Sequence, residues 1–228
     1  MNNATIFVVV PAYNEARVLR QTVTPLVDAG YTVVVVDDGS RDGSAGTLDG
    51  LPVTVMRHAV NLGQGAAIET GMEYARQHGA EIVVHFDADG QHRWEQIPDF
   101  AAPIQRGEAD VVLGSRFLRE EDASRIPGLR RIVLRAATIV SGLLTGVWLT
   151  DTHTGFRALS RKALAAVRLT ENGYAHATEV LALIRRHKLR YVEIPAAIDY
   201  TAYSRQKGQS LWNSFNILID LLMEKLFR

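Results

Sequence analysis

The chain has 228 residues, with 25 basic and 25 acidic side chains, and 47% of its residues are hydrophobic. This composition is typical of a soluble globular protein with one large or two small domains, and it excludes a disordered chain, a collagen-like repeat and a protein with many membrane spans. The balanced charge argues against binding to bulk nucleic acid, and the absence of cysteine excludes disulfide, iron–sulfur and catalytic-thiol chemistry.

The first half of the chain alternates predicted strands with predicted helices. Predicted strands cover 6–10, 32–36, 53–56, 82–86 and 111–113, and predicted helices cover 15–29, 64–77 and 94–105. Pro11 is expected to end the first strand, and Asn14 is expected to cap the first helix. The alternation predicts an α/β fold with a mostly parallel central sheet and helices on both faces.

The second half is less regular. An arginine-rich segment, 116–135, precedes 136–149, which has no charge but is too short to span a membrane. A helix is predicted near 179–187 and a strand near 191–194. We expect one domain over 1–210, followed by a C-terminal amphipathic helix over 211–228. The N-terminus has no signal-peptide pattern, so we expect a cytoplasmic location.

Polar segments follow four of the predicted strands, at the edge of the sheet where the carboxyl ends of parallel strands meet. These segments are 11–15, 37–40, 87–89 and 114–116. Open α/β sheets bind their ligands at this edge, so we expect the functional site to lie there.

Asp87 and Asp89 are the sharpest feature of this edge. Two carboxylates two residues apart in an extended segment point the same way, which suits a hard divalent cation that also holds phosphate oxygens. Asp37 and Asp38 follow a neighbouring strand. A turn has no structural need for a charge at Asp37, which favours a ligand contact there, and Tyr13 offers a flat surface for a nucleotide base.

The glycine-rich segment 61–67 does not form a Rossmann phosphate loop, because Ile68 stands where a third glycine is needed. It is better interpreted as a tight loop that opens a helix. The sequence also contains neither a P-loop nor the nucleophile elbow of α/β-hydrolases.

Six motifs in order carry a family resemblance. They are P-A-Y-N-E at 11–15, D-D-G-S at 37–40, N-L-G-Q-G-A-A at 61–67, D-A-D-G-Q at 87–91, G-S-R at 114–116 and D-T-H-T-G-F-R at 151–157. Over about residues 5–210 the chain resembles the inverting family-two glycosyltransferases of GT-A fold. Within them it is most similar to the dolichol-phosphate mannose synthase and polyprenyl-phosphate glycosyltransferase group.

The resemblance implies transfer of a sugar, with inversion, from a GDP- or UDP-linked donor to a polyprenyl phosphate, with Mg²⁺ or Mn²⁺. It implies nucleotide contacts by Pro11, Ala12, Tyr13, Glu15, Asp37, Asp38 and Asp87. It implies metal contacts by Asp87, Asp89 and Gln91, and phosphate contacts by Arg116, Arg130, Arg131, Arg205 and Ser210. Asp151 and Gly155 would lie beside the acceptor, and Asp89, Arg116 and Asp151 would carry the chemistry.

Several alternatives stay open at this point. A phosphate acceptor is already ionised near neutral pH, whereas a saccharide hydroxyl would need a general base, for which Asp151 and His153 are the candidates. A nucleotidyltransferase or a non-catalytic nucleotide-sugar sensor is a further alternative. Helix 211–228, with 130–149, would contact the inner face of the cell membrane, a small membrane protein or a second copy of the chain.

Overall fold

The computed structural model describes residues 5–124, 128–152 and 154–199. Its strands are β1 Ile6–Ala12, β2 Thr32–Asp37, β3 Thr54–Arg57, β4 Ile82–His85, β5 Val111–Ser115, β6 Arg157–Ser160 and β7 Tyr191–Pro195. Its α-helices are α1 Leu19–Asp28, α2 Gln64–Gln77, α3 Ile97–Gln105, α4 Glu120–Ser124, α5 Gly128–Thr145, α6 Arg161–Ala166 and α7 His176–Arg186. Short 3-10 helices cover Ser44–Leu48 and Trp94–Gln96.

The seven strands form one sheet in the order β3-β2-β1-β4-β6-β5-β7. β6 runs antiparallel to its neighbours β4 and β5, and the other pairs are parallel. The predicted α/β class with a mostly parallel sheet is confirmed. The C-terminal helix expected over 211–228 lies outside the described residues.

Helices cover β1 on both faces of the sheet, as its unbroken apolar run requires. Val8 and Val10 of β1 pack into the core formed with α1 and α3, whereas Val9 packs into the core formed with α2, α6 and α7. All three valines are fully buried. A β-branched run with no polar position is typical of a strand buried on both faces, and β1 is such a strand.

β1 does not end at Pro11 but continues to Ala12, which corrects the sequence prediction. Ala12 O accepts from Asp38 N–H, so the backbone polar groups of Ala12 face β2. Those of the preceding residue, Pro11, face the other way, towards β4, and Pro11 has no N–H to donate there. There β4 pairs with β1 only as far as Val9 and His85. Pro11 therefore costs the sheet no hydrogen bond.

β6 was not predicted, because Arg157–Ser160 is short and contains no β-branched residue. Its direction matters for the site. Since β6 is antiparallel, the segment before it enters at the edge where the parallel strands end. The motif at 151–157 thereby joins the four polar segments of that edge.

Candidate active site

The loop after β1 is fastened to the loop after β2. Ser40 Oγ accepts from Asn14 N–H at 2.9 Å, and Ser44 Oγ accepts from Glu15 N–H at 2.8 Å. Asn14 adopts φ of 54°, and its side-chain oxygen accepts from Arg41 N–H. Asn14 is therefore a brace between loops and not a helix cap, and α1 begins only at Leu19.

This bracing presents the residues for which nucleotide contacts were expected. Pro11 and Ala12 are buried at the end of β1, and Glu15 is 9% exposed. Tyr13 is 43% exposed at the same edge. The contacts themselves stay predictions.

Asp37 and Asp38 are both buried and have internal partners. Asp37 Oδ1 accepts from Ser40 N–H, and Arg57 Nε lies 3.2 Å from Asp37 Oδ2. The expectation that Asp37 has no structural need for a charge is wrong, because the carboxylate closes the turn after β2 and neutralises Arg57.

Asp38 organises the glycine-rich loop. Its oxygens accept from the N–H groups of Leu62 and Gly63 at 2.9 and 2.8 Å, and His58 Nδ1 lies 2.7 Å from Oδ1. The loop from 61 to 63 opens α2 at Gln64, as predicted. Nucleotide contact by Asp37 or Asp38 stays a prediction that would have to coexist with these bonds.

Asp87 follows β4 and is held from two sides. His92 Nε2 lies 2.9 Å from Oδ2, and Gln64 Nε2 lies 3.1 Å from Oδ1. Burial alone would raise the pKa of Asp87, but the hydrogen bond from His92 and the nearby charge of Arg157 lower it below its ordinary value. Asp87 is therefore an ionised carboxylate.

Asp89 has the opposite environment. Burial, and next the charge of Asp87, raise the pKa of Asp89 to about 6. Gln91 donates to Asp89 twice, from its backbone N–H at 3.0 Å and from Nε2 at 2.7 Å. The structure thus brings together the three residues predicted to hold a metal.

These residues fit a hard divalent cation. The repulsion that raises the pKa of Asp89 is relieved when a cation lies between two carboxylates. Oxygen donors are also the ligands that Mg²⁺ and Mn²⁺ prefer. Over the part of the chain that the structure describes, no three His, Asp or Glu side chains form a metal cage, so a cation here would share its coordination with substrate oxygens or water.

Arg116 and Asp151, expected to contact phosphate and acceptor separately, form one ion pair. Arg116 Nε and Nη2 donate to the carboxylate at 2.6 and 2.9 Å, and Thr154 Oγ1 donates to it at 3.0 Å. The Asp151 side chain has no exposed surface. The carboxylate is thus fully engaged by the protein, which argues against Asp151 as a general base in this conformation.

Arg157, at the start of β6, was given no role by the sequence. It is 3% exposed, and burial lowers its pKa to about 10 while the charges of Asp87 and Asp151 raise it. It lies opposite His85 in the β4–β6 register. Burial lowers the pKa of His85 to about 3 and that of His176 to about 4, so Arg157 is the cation of this buried group.

The position of Arg157 could have been predicted only with β6 in place. His92 and Gln64 each stand within or next to a motif, but the contact of both with Asp87 depends on the packing of distant segments. No spacing in the sequence signals that contact.

α5 borders the site with its buried side and exposes an apolar stripe on the other. Thr138 Oγ1 lies 3.4 Å from Thr152 Oγ1, and the Arg135 guanidinium lies 5.6 Å from the centre of the Phe117 ring. The outward residues are mostly large and apolar, with exposures of 56–68%: Ile132, Ile139, Leu143 and, just beyond the helix, Trp148.

Two of the expected phosphate ligands, Arg130 and Arg131, lie on α5. Arg131 is half-buried, and the side chain of Arg130 is outside what the structure describes. Arg205, Ser210 and His153 also fall outside the described residues. In the described ranges, no helix is long and apolar enough to cross a bilayer.

A sequence-family comparison decides the class of this protein. The model for glycosyl transferase family 2 matches residues 7–168. The chain is a family 2 glycosyltransferase. The predicted enzyme class is confirmed, and the alternatives of a nucleotidyltransferase and a non-catalytic sensor fall away.

Two relatives of this glycosyltransferase match it over most of their length. The UDP-N-acetylglucosamine–dolichyl-phosphate N-acetylglucosaminyltransferase of Methanococcus voltae is 30% identical, over 99% of this chain and 98% of that protein. The undecaprenyl-phosphate mannosyltransferase of Micrococcus luteus is 30% identical, over 90% of this chain and 86% of that protein.

A solved structure has the same fold. Glucosyl-3-phosphoglycerate synthase from Mycobacterium tuberculosis, crystallised with Mn²⁺, UDP and phosphoglyceric acid, matches the glycosyltransferase with a TM-score of 0.67. The two are 21% identical, over 97% of this chain and 78% of that one. The predicted GT-A fold is confirmed.

Proposed function

We propose that this glycosyltransferase moves a sugar from a nucleotide-diphosphate donor to a polyprenyl phosphate. Its relatives from Methanococcus voltae and Micrococcus luteus are named for dolichyl phosphate and undecaprenyl phosphate. These acceptors share a long apolar chain and one ionised headgroup. An enzyme for them needs cations beside its reaction centre and an apolar surface next to those cations.

The outer surface of α5 is the observation that carries this proposal. Ile139 and Leu143 are 56% and 68% exposed, although large apolar side chains in a row are normally covered. Arg131 and Arg135 lie on the same helix, and its other side contacts Thr152. A membrane surface would contact the apolar stripe, and a lipid phosphate there would lie next to a helix that carries Arg131 and Arg135.

The state of Asp151 also favours a phosphate acceptor. A saccharide hydroxyl must lose its proton during attack, whereas a phosphate monoester is already an anion near neutral pH. The Asp151 carboxylate accepts from Arg116 and Thr154 and is not exposed. The carboxylate can hold Arg116 in position, but it is not open to accept a proton from an acceptor hydroxyl.

For the donor, we propose that Asp87, Asp89 and Gln91 hold a Mg²⁺ or Mn²⁺ ion together with the diphosphate. When bound, this ion would neutralise charge that grows on the leaving diphosphate. Tyr13 would stack on the base, with Pro11, Ala12, Glu15, Asp37 and Asp38 around it. The Mycobacterium tuberculosis synthase, which shares the fold, was crystallised with Mn²⁺ and UDP, and this supports a divalent ion here.

The remaining chemistry is direct displacement at the sugar carbon. A phosphate oxygen of the acceptor attacks from the side opposite the diphosphate, the bond to the diphosphate breaks, and the configuration inverts. Arg131, together with Arg130 and Arg205, is proposed to neutralise the acceptor phosphate. No covalent intermediate on the protein is needed, so the arginines act by electrostatic stabilisation.

The test is the product formed from defined substrates. Purified protein with Mn²⁺ is offered UDP- and GDP-linked sugars, with undecaprenyl phosphate, dolichyl phosphate or a soluble oligosaccharide as acceptor. Mass spectrometry of the lipid extract should show a glycosylated polyprenyl phosphate. Transfer to the oligosaccharide with none to either lipid would refute the proposed acceptor, and full activity in excess EDTA would refute the metal.

A further inference from the structure

Asp87 is held by two side chains for which the sequence predicts no role. Gln64 Nε2 lies 3.1 Å from Oδ1, and His92 Nε2 lies 2.9 Å from Oδ2. The amide nitrogen of Gln64 can only donate, so Asp87 Oδ1 accepts this hydrogen bond. Gly155 closes a third side, because a Cβ there would lie 2.5 Å from Oδ2. The direction of the Asp87 carboxylate is therefore set by its neighbours.

We propose that Gln64 is a positioning residue for the donor site: it fixes the Asp87 carboxylate from the start of α2 and thereby sets the affinity for the metal–nucleotide complex. The inference rests on the proposed function, in which Asp87 contacts the nucleotide and the metal. It adds a residue from the glycine-rich turn, which the sequence explained only as a tight loop.

Gln64 is suited to this task because its backbone is fixed on both sides. Gly63 has φ of 107°, a conformation that side-chain-bearing residues rarely adopt. Gly65 N–H donates to Asn172 O at 2.8 Å, and a Cβ on Gly65 would lie 2.0 Å from Glu171 O. The two glycines let the loop before α7 lie directly against the start of α2. The backbone at Gln64, from which its side chain extends, is therefore held in place on both sides.

The loop that packs on this turn is itself fixed. The Glu179 carboxylate, on α7, accepts from the backbone N–H groups of Thr170 and Glu171 at 2.9 Å each and from Thr170 Oγ1. On its other side the turn binds Asp38 through the N–H groups of Leu62 and Gly63. The turn thus links the end of β2, Asp87 after β4 and the loop before α7.

Gln64 is a cleaner target for mutation than His92. The His92 ring packs against Phe86 and Phe156, with ring centres 5.5 and 4.9 Å away. Replacing it would disturb aromatic packing as well as the hydrogen bond. Gln64 is half-buried, so replacing its amide changes mainly the contact with Asp87.

Three substitutions separate the effect of the hydrogen bond to Asp87 from the effect of side-chain size. Gln64→Lys keeps a donor for Asp87, Gln64→Leu removes it, and Gln64→Glu puts a second carboxylate against Asp87. Gln77→Leu is the matched control, because Gln77 ends the same helix and its Nε2 donates to Glu73 Oε1 at 2.9 Å. Binding of Mn²⁺ with UDP, and of Mn²⁺ with GDP, is measured by calorimetry.

The expected order of affinity is wild type and Gln64→Lys, then Gln64→Leu, then Gln64→Glu. Loss of one hydrogen bond to an ionised carboxylate should weaken binding about tenfold, with Gln77→Leu unchanged. Equal affinity of wild type and Gln64→Leu, or equal affinity of the three Gln64 variants, would overturn the proposal. If wild type binds neither complex, the proposed function fails instead.

A second measurement needs no ligand. Melting temperatures are compared for wild type, Gln64→Leu, Asp87→Asn and the double variant. If Gln64 holds Asp87 in the resting protein, the two single changes should be non-additive by about 2–4 °C, which corresponds to a coupling of one hydrogen bond in a chain of this size. Additive shifts would contradict the contact, whatever the protein binds.

Discussion

The carboxylate of Asp87 occupies the space that a side chain at Gly155 would fill. A Cβ built on Gly155 lies 2.5 Å from Asp87 Oδ2 and 2.8 Å from Oδ1. Gly155 thus lies against Asp87, which we propose as part of the donor site, whereas the family resemblance implies a place beside the acceptor.

Gly155→Ala should therefore displace Asp87 while leaving the fold intact. We expect affinity for the Mn²⁺–nucleotide complex to fall at least tenfold, because Asp87 would lose its alignment with Gln64 and His92. Calorimetry checks this, and Gly173→Ala, where a Cβ meets nothing within 4 Å, serves as the control. Unchanged affinity in Gly155→Ala would contradict the described packing.

Asp89→Asn should strongly reduce transfer and yet make the metal-free protein more stable. Burial and the charge of Asp87 raise the pKa of Asp89 to about 6, so at pH 8 the ionised side chain destabilises the fold. Removing that charge should raise the melting temperature by a few degrees, whereas turnover should fall about a hundredfold or more. Asp28→Asn, at the exposed end of α1, is the control for both measurements.

Asp151→Asn should unfold more easily than wild type. It leaves Arg116, which is 7% exposed, without its bidentate partner, and an uncompensated buried charge costs about 3–5 kcal/mol. Urea titration should show that loss, and the double variant Asp151→Asn with Arg116→Gln should recover part of it. A normal unfolding free energy with lost activity would instead assign a catalytic role to Asp151.

The environment of Asp110 predicts that the free energy of unfolding depends on pH. The hydrogen bonds from Arg190, and then the hydrogen bond and charge of Lys162, hold the pKa of Asp110 well below its ordinary value. A lowered pKa in the folded state means that the stabilisation is complete above about pH 5 and is lost as the pH falls towards the folded pKa. The unfolding free energy of wild type should drop more between pH 6 and pH 3 than that of Asp110→Asn, and parallel curves would refute this.

The apolar stripe of α5 predicts binding to anionic vesicles. Wild type should co-sediment with phosphatidylglycerol liposomes at low salt and dissociate as salt screens the arginines. Ile139→Glu and Leu143→Glu should each weaken this binding several-fold. Val60→Glu, in a loop where Val60 is 63% exposed, should not. Equal binding of all variants would remove α5 from the membrane contact.

The sequence predicted much of the fold, because its signals are local. Strands that are buried on both faces appear in the sequence as apolar β-branched runs. Helix α2 has the predicted bounds Gln64–Gln77. Asp87 and Asp89 follow β4 as expected. β6 and the start of α1 were missed because both depend on distant partners: β6 on β4 and β5, and the segment before α1 on Ser40 and Ser44.

The use of each charged residue was harder to predict than its position. Asp37, Asp38, Arg116 and Asp151 all lie at the expected edge, but each binds a partner far away in sequence. Asp151 is 35 residues from Arg116, and Asp38 is 25 residues from Gly63. Motif spacing shows where a carboxylate lies along the chain, and only the folded packing shows which donors reach it.

The place of β6 in the sheet has a consequence for folding during synthesis. β6 separates β4 from β5, so β4 and β5 each lack a neighbour until residues 157–160 have been made. Until then two apolar strands have unpaired edges, the condition under which nascent chains associate wrongly. Residues 151–160 carry both the D-T-H-T-G-F-R motif and β6, so a chain truncated before residue 151 lacks part of the candidate site and leaves the facing edges of β4 and β5 unpaired.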